Sequence, residues 1–336
     1  MNDWSLAPAQ SSSETTTAPR VSIGLPVYNG ERFLAGAIAS ILAQTYTEFE
    51  LIICDNASTD RTGEICRGFA SNDPRVRYHR QPRNLGATAN FNRCFELASG
   101  EYFKWAADDD LLEPRFLEAC VDALDDDPGA VLSQSLVKVV DETDRLIEIY
   151  DHSAYGTSSP RPSERLSGRL RGTCLEVFGL IRSDVLRESA LIQSYIGSDR
   201  ALLVDLALRG RFALVSEPLF INRDHLGRCT RITRARGDRR YIIAWYDTQL
   251  SHQRVLSTWQ FHLACLRLIR RHVRSPVERL RCHAQLIASL RARTAAYLLL
   301  EPLMVVSPRA LTLARAIKRA FRRAGGRSRS RLPGSA

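Results

Sequence analysis

The chain has 336 residues, 44% of them apolar and 25% charged, the balance of a globular protein with one large or two ordinary domains. Its formal charge of +10 is unevenly placed: residues 307–336 hold nine Arg or Lys and no Asp or Glu. The body before Ser307 is therefore close to neutral, which argues against a general nucleic-acid binder. The eight cysteines are scattered without C-x-x-C spacing, which excludes a zinc ribbon and a redox motif. Several lie in apolar runs as core residues, and a reducing cytosol is the simplest compartment. The first twenty residues are polar, rich in Ser and Thr, and lack the apolar core of a signal peptide; they read as a disordered lead-in. No uninterrupted apolar stretch is long enough to span a bilayer, and the best, Ala295–Val306, is broken by Glu301 and Pro302.

In chain order, Val21–Pro26 is a short apolar run that predicts a buried strand, and Tyr28-Asn29-Gly30 a turn. Over Glu31–Gln44, Phe33/Leu34, Ala37/Ile38 and Ile41/Leu42 recur at helical spacing. Phe49–Cys54 predicts a second strand, ending in the turn and N-cap residues Asp55-Asn56-Ala57-Ser58-Thr59-Asp60. A helix over Arg61–Ala70, a strand over Val76–His79, a turn at Asn84-Leu85-Gly86 and a helix over Ala87–Ala98 follow. Tyr102, Phe103 and Trp105 then form a short strand that runs into Asp108, Asp109 and Asp110, with Pro114 placed where the next helix begins.

Strand and helix alternate with short connections, the pattern of a parallel α/β sheet. Ligands of such sheets bind beyond the carboxyl ends of the strands. Three polar clusters fall at those ends: Tyr28-Asn29, Asp55-Asn56 and Asp108–Asp110. Three adjacent carboxylates repel one another unless they share something positive, and hard oxygen ligands suit Mg²⁺ or Mn²⁺ that also holds a substrate phosphate. The alternative is a solvated acidic turn that caps the following helix. No G-x-G-x-x-G follows the first strand and no G-x-x-x-x-G-K-[ST] occurs, which argues against a dinucleotide-binding domain and a P-loop NTPase.

Taken together, Pro26-Val27-Tyr28-Asn29, Asp55 to Asp60, Asn84-Leu85-Gly86 and the Asp run followed by Pro114 resemble, in order and spacing, the nucleotide-binding half of a family 2 glycosyltransferase with a GT-A fold. The resemblance covers Val21 to about Leu124. It implies an α/β architecture with a mixed, mostly parallel sheet flanked by helices, followed by a helical C-terminal region. By it, Asp55 contacts the nucleotide base, Pro26, Tyr28 and Asn29 line the pocket with Asn84, and the Asp run is the D-x-D metal site. Members often read Asp-x-Asp-Asp here. Registering on Pro114 puts Ala107 at the first Asp and makes Asp109 the principal ligand of Mn²⁺ or Mg²⁺, with Asp108 and Asp110 as close alternates and Asp108 also near the donor.

Past the Asp run, Arg115–Leu124 predicts a helix, Ala130–Val140 a long strand, Asp141–Pro162 a polar loop over the site, and Val177–Ile181 another strand. Asp199 opens an apolar helix over Ala201–Leu208, where a first-turn acid caps orphan N–H groups for about 1 kcal/mol. The resemblance offers Asp199 as the general base, a role that contributes ~10²–10⁴ in rate, and one Asp can serve both ends. Asp205, the alternative acid, reads as an exposed-face residue. Arg211–Val215 and Pro218–Asn222 predict two strands, followed by Arg223-Asp224-His225, which matches the family's R-x-H and puts His225 near metal or diphosphate. Arg228, Arg231 and Arg234 either neutralise diphosphate or are solvated. Trp245–Arg293 predicts two or three helices without evident chemistry. Beyond Pro308, Ala310, Leu313, Ala314, Ile317 and Phe321 share one helical face and Arg315, Lys318, Arg319, Arg322 and Arg323 the other. That pattern fits an amphipathic helix on an anionic membrane, a partner-binding helix, or a basic tail with no fixed target.

The resulting division is a lead-in (1–20), a glycosyltransferase domain (21–235, its donor half 21–124 and acceptor half 125–235), a helical extension (236–306) and a basic amphipathic tail (307–336). The expected function is inverting transfer of a sugar from a nucleotide-diphosphate sugar to a hydroxyl of a glycan or lipid-linked acceptor in surface-polysaccharide synthesis. The expected place is the cytoplasm, peripheral at the inner face of the plasma membrane through residues 308–331, with no specific nucleic acid as partner. The rivals are a sugar-nucleotidyltransferase, which a Gly-rich basic loop after the first strand would have favoured, and a non-catalytic scaffold, for which Ala107 leaves room.

Overall fold

Val21–Val27 (β1) and Phe49–Asp55 (β2) are buried at every position, as strands covered on both faces must be. The computed structural model describes residues 18–228, 231, 239–250, 255–290, 294–295, 298–299 and 301–302. The polar lead-in through residue 17, Arg234 and the basic segment 308–331 lie outside the described residues. Val76–Arg80 (β3) pairs parallel with β2, and Tyr102–Trp105 (β4) pairs parallel with β1. The first half of the sheet thus reads β3-β2-β1-β4 and is wholly parallel. Its crossovers are Leu34–Leu42 (α1), Thr62–Asn72 (α2) and Ala87–Glu96 (α3).

Beyond β4 the sheet becomes mixed. Leu180–Arg182 (β8) lies antiparallel to β4 and joins the halves, followed by Ala130–Asp141 (β6) and Arg211–Asp224 (β9), which run parallel to each other. Leu111–Leu112 (β5) closes the edge, antiparallel to β9, and Leu146–Tyr150 (β7) hangs on the end of β6. The helices here are Phe116–Asp125 (α4), Pro162–Arg171 (α5), Ser183–Arg187 (α6) and Ser198–Arg209 (α7). Arg239–Tyr246 (α8), Ser257–His272 (α9) and Pro276–Ala288 (α10) follow β9. The fold is therefore the mixed α/β sheet with C-terminal helices that the resemblance implies, and its first half is the parallel sheet that the alternating pattern predicts.

The core lies on both faces of the sheet. On one, α1 buries Leu34, Ala37, Ile38 and Ile41, and α4 buries Phe116, Leu117, Cys120, Val121 and Leu124. On the other, Cys94 and Phe95 of α3 and Leu202, Leu203 and Leu206 of α7 pack with Phe103 and Trp105. A smaller cluster joins Leu166, Val204 and Leu208 to Cys265, Ile269, Cys282 and Leu286, and attaches α9 and α10 to the body. Six of the cysteines are buried packing residues, and Cys174 is half-buried.

Four elements differ from the sequence-based expectation. Asp141–Pro162 is not one open loop. It holds β7 and a helical turn at Ser153–Tyr155, because Leu146, Ile147 and Ile149 favour a strand and β6 offers a free edge. The strand expected over Val177–Ile181 is a helical turn, Leu175–Phe178, followed by the shorter β8. The two strands expected around Ser216 and Glu217 are one strand, β9, whose register on β6 slips where Pro218 enters. Asp205 is buried, not exposed: its carboxylate takes Arg209 Nε at 2.8 Å and lies 2.9 Å from His272 Nε2 of α9.

Helix α3 crosses β1 at Gly24, where an added Cβ would come within 2.5 Å of Cys94 Cβ and 2.8 Å of the Phe103 ring. Gly24→Ala is therefore expected to destabilise the fold by about 1–3 kcal/mol, read as a lower urea midpoint at unchanged slope.

Candidate functional site

The strand ends gather two polar clusters. The first forms where the chain leaves β4. Asp108, Asp109 and Asp110 occupy the crossing to β5, and β5 pairs with β9 so that the cluster meets the end of that strand. There each carboxylate finds a different neighbour. Asp110 is buried and accepts from Asn222 Nδ2 at 3.1 Å and from the Arg223 backbone N–H at 2.9 Å. Asp109 Oδ2 lies 2.9 Å from His225 Nε2. Asp108 stands so close to Gly30 that a Cβ there would fall 2.1 Å from its Oδ2. Arg223 donates from Nε to the Asp109 carbonyl at 3.1 Å and from Nη1 to Asp144 at 2.5 Å, tying the β6–β7 turn to the cluster.

His225 is held in one orientation. The Gly227 N–H donates to its Nδ1 at 3.2 Å, so Nδ1 accepts and Nε2 carries the proton shared with Asp109. Phe33 packs on the ring at a centroid distance of 4.9 Å. In this tautomer His225 orients Asp109 as a donor, and a lone pair toward a metal would require the other tautomer.

Burial, with Asp109 adding its charge, pushes Asp108 up to about 8; the same two causes push Asp110 up to about 7. The cluster is therefore short of positive charge. A hard divalent cation fits it by donor type, since the nearest free groups are carboxylate oxygens. Among the described residues no three His, Cys, Asp or Glu side chains are grouped to enclose an ion. The protein would thus supply one or two ligands, the mode in which phosphates and water complete the shell of Mg²⁺ or Mn²⁺.

The second cluster is built on the end of β2. Asp55 is fully buried and accepts from Ser58 N–H at 2.7 Å, Tyr78 Oη at 2.7 Å and Arg80 Nη1 at 2.5 Å. Burial alone would raise its pKa, but these hydrogen bonds outweigh it and hold the carboxyl below its usual value. Asn56 Nδ2 donates to Asn84 Oδ1 at 2.9 Å and to the Gly86 carbonyl at 3.2 Å, while its Oδ1 accepts from Leu85 N–H at 2.9 Å. Asn29 joins the clusters, its N–H on Ser58 Oγ at 2.9 Å and its Oδ1 accepting from Thr59 N–H at 2.8 Å. Its φ of +55° turns the loop back across the β2 end.

Among the residues expected to line the pocket, Tyr28 is exposed, whereas Pro26 is buried within β1 opposite Cys54. Asp199 stands apart, in the first turn of α7, with its Oδ1 accepting from the Arg200 N–H at 2.8 Å. No hydrogen bond or ion pair among the described residues joins it to the Asp run. Its connection to the parallel half of the sheet is through the preceding loop, where Ile192 and Gln193 bond Asn92 and Thr88 of α3. Of the trailing arginines, Arg228 donates to Asn222 Oδ1 at 2.8 Å and Arg231 pairs with Asp224 at 2.6 Å.

Sequence reasoning missed Gly30, Tyr78, Arg80, Asn222 and the segment after α8. Tyr246 and Asp247 lie on Gly86, where an added Cβ would be 2.6 Å from the Tyr246 carbonyl, and Thr248 Oγ1 donates to the Asn84 carbonyl at 3.3 Å. The region expected to carry no chemistry thus covers the Asn84 turn. The only sequence signals were polar residues at the ends of apolar strands, as in Tyr78-His79-Arg80 and Asn222-Arg223.

A parallel β3-β2-β1-β4 half, a mixed second half and an acidic turn at their junction define a GT-A architecture. Residues 22–187 match the family model described as Glycosyl transferase family 2, and over that stretch the chain belongs to this family. Chondroitin synthase of Escherichia coli is 35% identical over 129 residues, which are 38% of this chain and 19% of that one. Glycosyltransferase GlyG of Streptococcus pneumoniae serotype 4 is 37% identical over 98 residues, 29% of this chain and 33% of that one. The match spans no more than 37% of the length of the first curated relatives. In fold the chain is similar to S. aureus TarS 1–349 solved with UDP-GlcNAc, at a TM-score of 0.54 and 15% identity over 91% of this chain and 92% of that one.

Asp55→Asn is expected to cost about 1.5–3 kcal/mol at pH 7, because Tyr78 and the half-exposed Arg80 lose a charged acceptor. A depressed folded-state pKa contributes stability that is present above the unfolded value of 3.8 and lost below it. The gap between wild type and variant, measured by urea unfolding across pH 7 to 3, should therefore narrow at the acid end. Gly86→Ala, at φ +90° beneath Tyr246, should lower the urea midpoint more than Gly197→Ala, at φ +92° with no atom closer than 4.0 Å.

Proposed function

We propose that this chain is an inverting glycosyltransferase that moves a sugar from a nucleotide-diphosphate donor to a hydroxyl of a glycan or lipid-linked acceptor in polysaccharide synthesis. The observation that carries the reading is the junction of β4, β5 and β9, where Asp109 is held by His225 and Asp108 stands against Gly30 in a stretch that matches the family 2 model. Asp109 and Asp108 would hold Mn²⁺ or Mg²⁺. When bound, the cation neutralises the diphosphate and lowers the cost of charge on the leaving group. Asp110 positions β9 through Asn222, and His225 fixes the rotamer of Asp109. Tyr28, with Asn29, Asn84 and the loop built on Asp55, forms the nucleoside side of the crevice. Asp199 would take the proton of the acceptor hydroxyl as that oxygen attacks the anomeric carbon and the nucleoside diphosphate leaves. A single displacement of this kind inverts the centre.

The acceptor half and the tail complete the proposal. Residues 308–331 would bring the enzyme to an anionic membrane from the cytoplasmic side, where a lipid-linked acceptor lies. No described helix is long and apolar enough to cross a membrane.

Calorimetric titration of UDP, GDP and dTDP, each with and without Mn²⁺, tests the donor half. One nucleotide should bind in a metal-dependent way, and Asp109→Asn should lose that dependence. Binding of none, with the protein folded and metal present, rejects the donor site. Asp199→Asn should bind the donor as the wild type does yet turn over ~10²–10⁴ more slowly, and unchanged turnover rejects the base.

A further inference from the structure

The helices Ser257–His272 (α9) and Pro276–Ala288 (α10) touch the body through one face each. Cys265, Ile269, Cys282 and Leu286 point inward, onto Leu166 of α5 and Val204 and Leu208 of α7. A solvated helix carries polar residues on the face turned away from its core. On α10 that face is apolar: Val277, Leu280 and Ile287 are 59%, 71% and 67% exposed. Ala284 and Ala288 fill the gaps, so the stripe is unbroken by charge. On α9, Leu263 and Leu266 are 39% and 41% exposed, while Trp259 is tied down by its Nε1 donating to the Leu298 carbonyl at 2.8 Å.

The charges around these stripes have one sign. Arg267, Arg270, Arg271 and Arg274 are all exposed, and none pairs with a carboxylate among the described residues. Glu278 is the sole acid between residues 255 and 290. It is already engaged, accepting from the Ser163 N–H at 3.2 Å and pairing with Arg281 at 2.7 Å. An exposed apolar stripe beside unpaired arginines is complementary in both respects to one kind of surface: acyl chains beneath anionic headgroups.

We propose that the α9–α10 hairpin docks on a negatively charged phospholipid bilayer. Leu280 and Ile287 enter the headgroup–acyl boundary, and Arg267, Arg270, Arg271 and Arg274 lie against lipid phosphates. This surface is distinct from the basic segment 308–331 and does not depend on it. Helix α9 packs on α7, whose first turn carries Asp199, so docking holds the acceptor half one helix layer from the membrane; this last link alone rests on the proposed function.

The test is flotation of the full chain with phosphatidylcholine vesicles, with and without about 30% phosphatidylglycerol. Four forms are compared: wild type; a tail variant with Lys318, Arg319, Arg322 and Arg323 changed to Gln; and each of these with Leu280→Glu and Ile287→Glu added. Wild type and the tail variant should bind the anionic vesicles only, and the hairpin substitutions should weaken each about tenfold or more. Circular dichroism should be unchanged, since both side chains face solvent. Should the glutamates perturb folding, Arg270→Gln/Arg271→Gln is the substitute, with binding weakened about fivefold or more. Hairpin variants that bind like their parents overturn the proposal, as does complete loss of binding in the tail variant or failure of the wild type to bind. It is also overturned if sedimentation shows a dimer that Leu280→Glu/Ile287→Glu splits while vesicle binding persists, for the face then belongs to a second copy of the chain.

Discussion

Three consecutive carboxylates at the end of a buried strand cannot share one environment, and the structure around β4 answers that constraint. Neighbouring anions in a poorly solvated place raise one another's energy steeply. The chain separates them by partner. Asp110 is neutralised in part by Asn222 and a backbone N–H, Asp109 faces His225, and Asp108 lies on the bare Cα of Gly30. That distribution requires β9 to end beside the Asp run. The two residues of β5 pin the contact, and the length of β9 along β6 aligns it. The second half of the sheet is placed so that this acidic turn meets the end of β9.

The parallel half of the sheet shows the same economy in a different form. Its charged groups are building pieces first. Asp55 binds Ser58, Tyr78 and Arg80, and thereby sets the loop that Asn29 spans. Glu50 does the same at the opposite end of β2, accepting from Ser22 Oγ and Ser99 Oγ, each at 2.7 Å, and pairing with Arg77. Deeper in the sheet, burial pushes Lys104 down to about 8, and its Nζ donates to the carbonyls of Phe178 and Trp105 at 2.5 and 3.2 Å. Under the second half of the sheet, buried Glu176 meets His152 Nδ1 at 3.0 Å and lies against Arg169. Such groups fix loop geometry because leaving any one unpaired would be costly. The groups left open at the crevice are then few: Tyr28 and the free edge of the Asp run.

The helices after β9 are more than an appendage. The turn after α8 closes over Gly86 and Asn84, which links the C-terminal region to the loop at the end of β3. Helix α9 reaches α7 through Asp205 and His272 as well as through its apolar face. A change in what α9 and α10 contact would therefore be felt at α7, and through its preceding loop at α3.

Much of the parallel half of the sheet was legible in the sequence. Runs such as Val21–Val27 and Phe49–Asp55 are apolar on both faces, and the helices between them carry a single apolar stripe; these are local patterns with fixed periods, so element type and order follow from them. The clustering of Asn29, Asp55 and the Asp run at one sheet edge follows too, because parallel strands with short crossovers align their carboxyl ends. Tertiary structure decided what depends on partners distant in sequence. Strand β7 forms only because β6 leaves an edge for it, and β5 is too short to be a strand without β9 beside it. Whether a polar residue faces solvent or a buried partner is settled the same way. Asp205 resembled a solvated helix residue until α9 supplied His272, and Asp55 differs from any exposed turn acid only through Tyr78 and Arg80 of the next strand. Periodicity records which side of an element is apolar, whereas the neighbour that a polar atom meets is chosen by the packing of elements far apart in the chain.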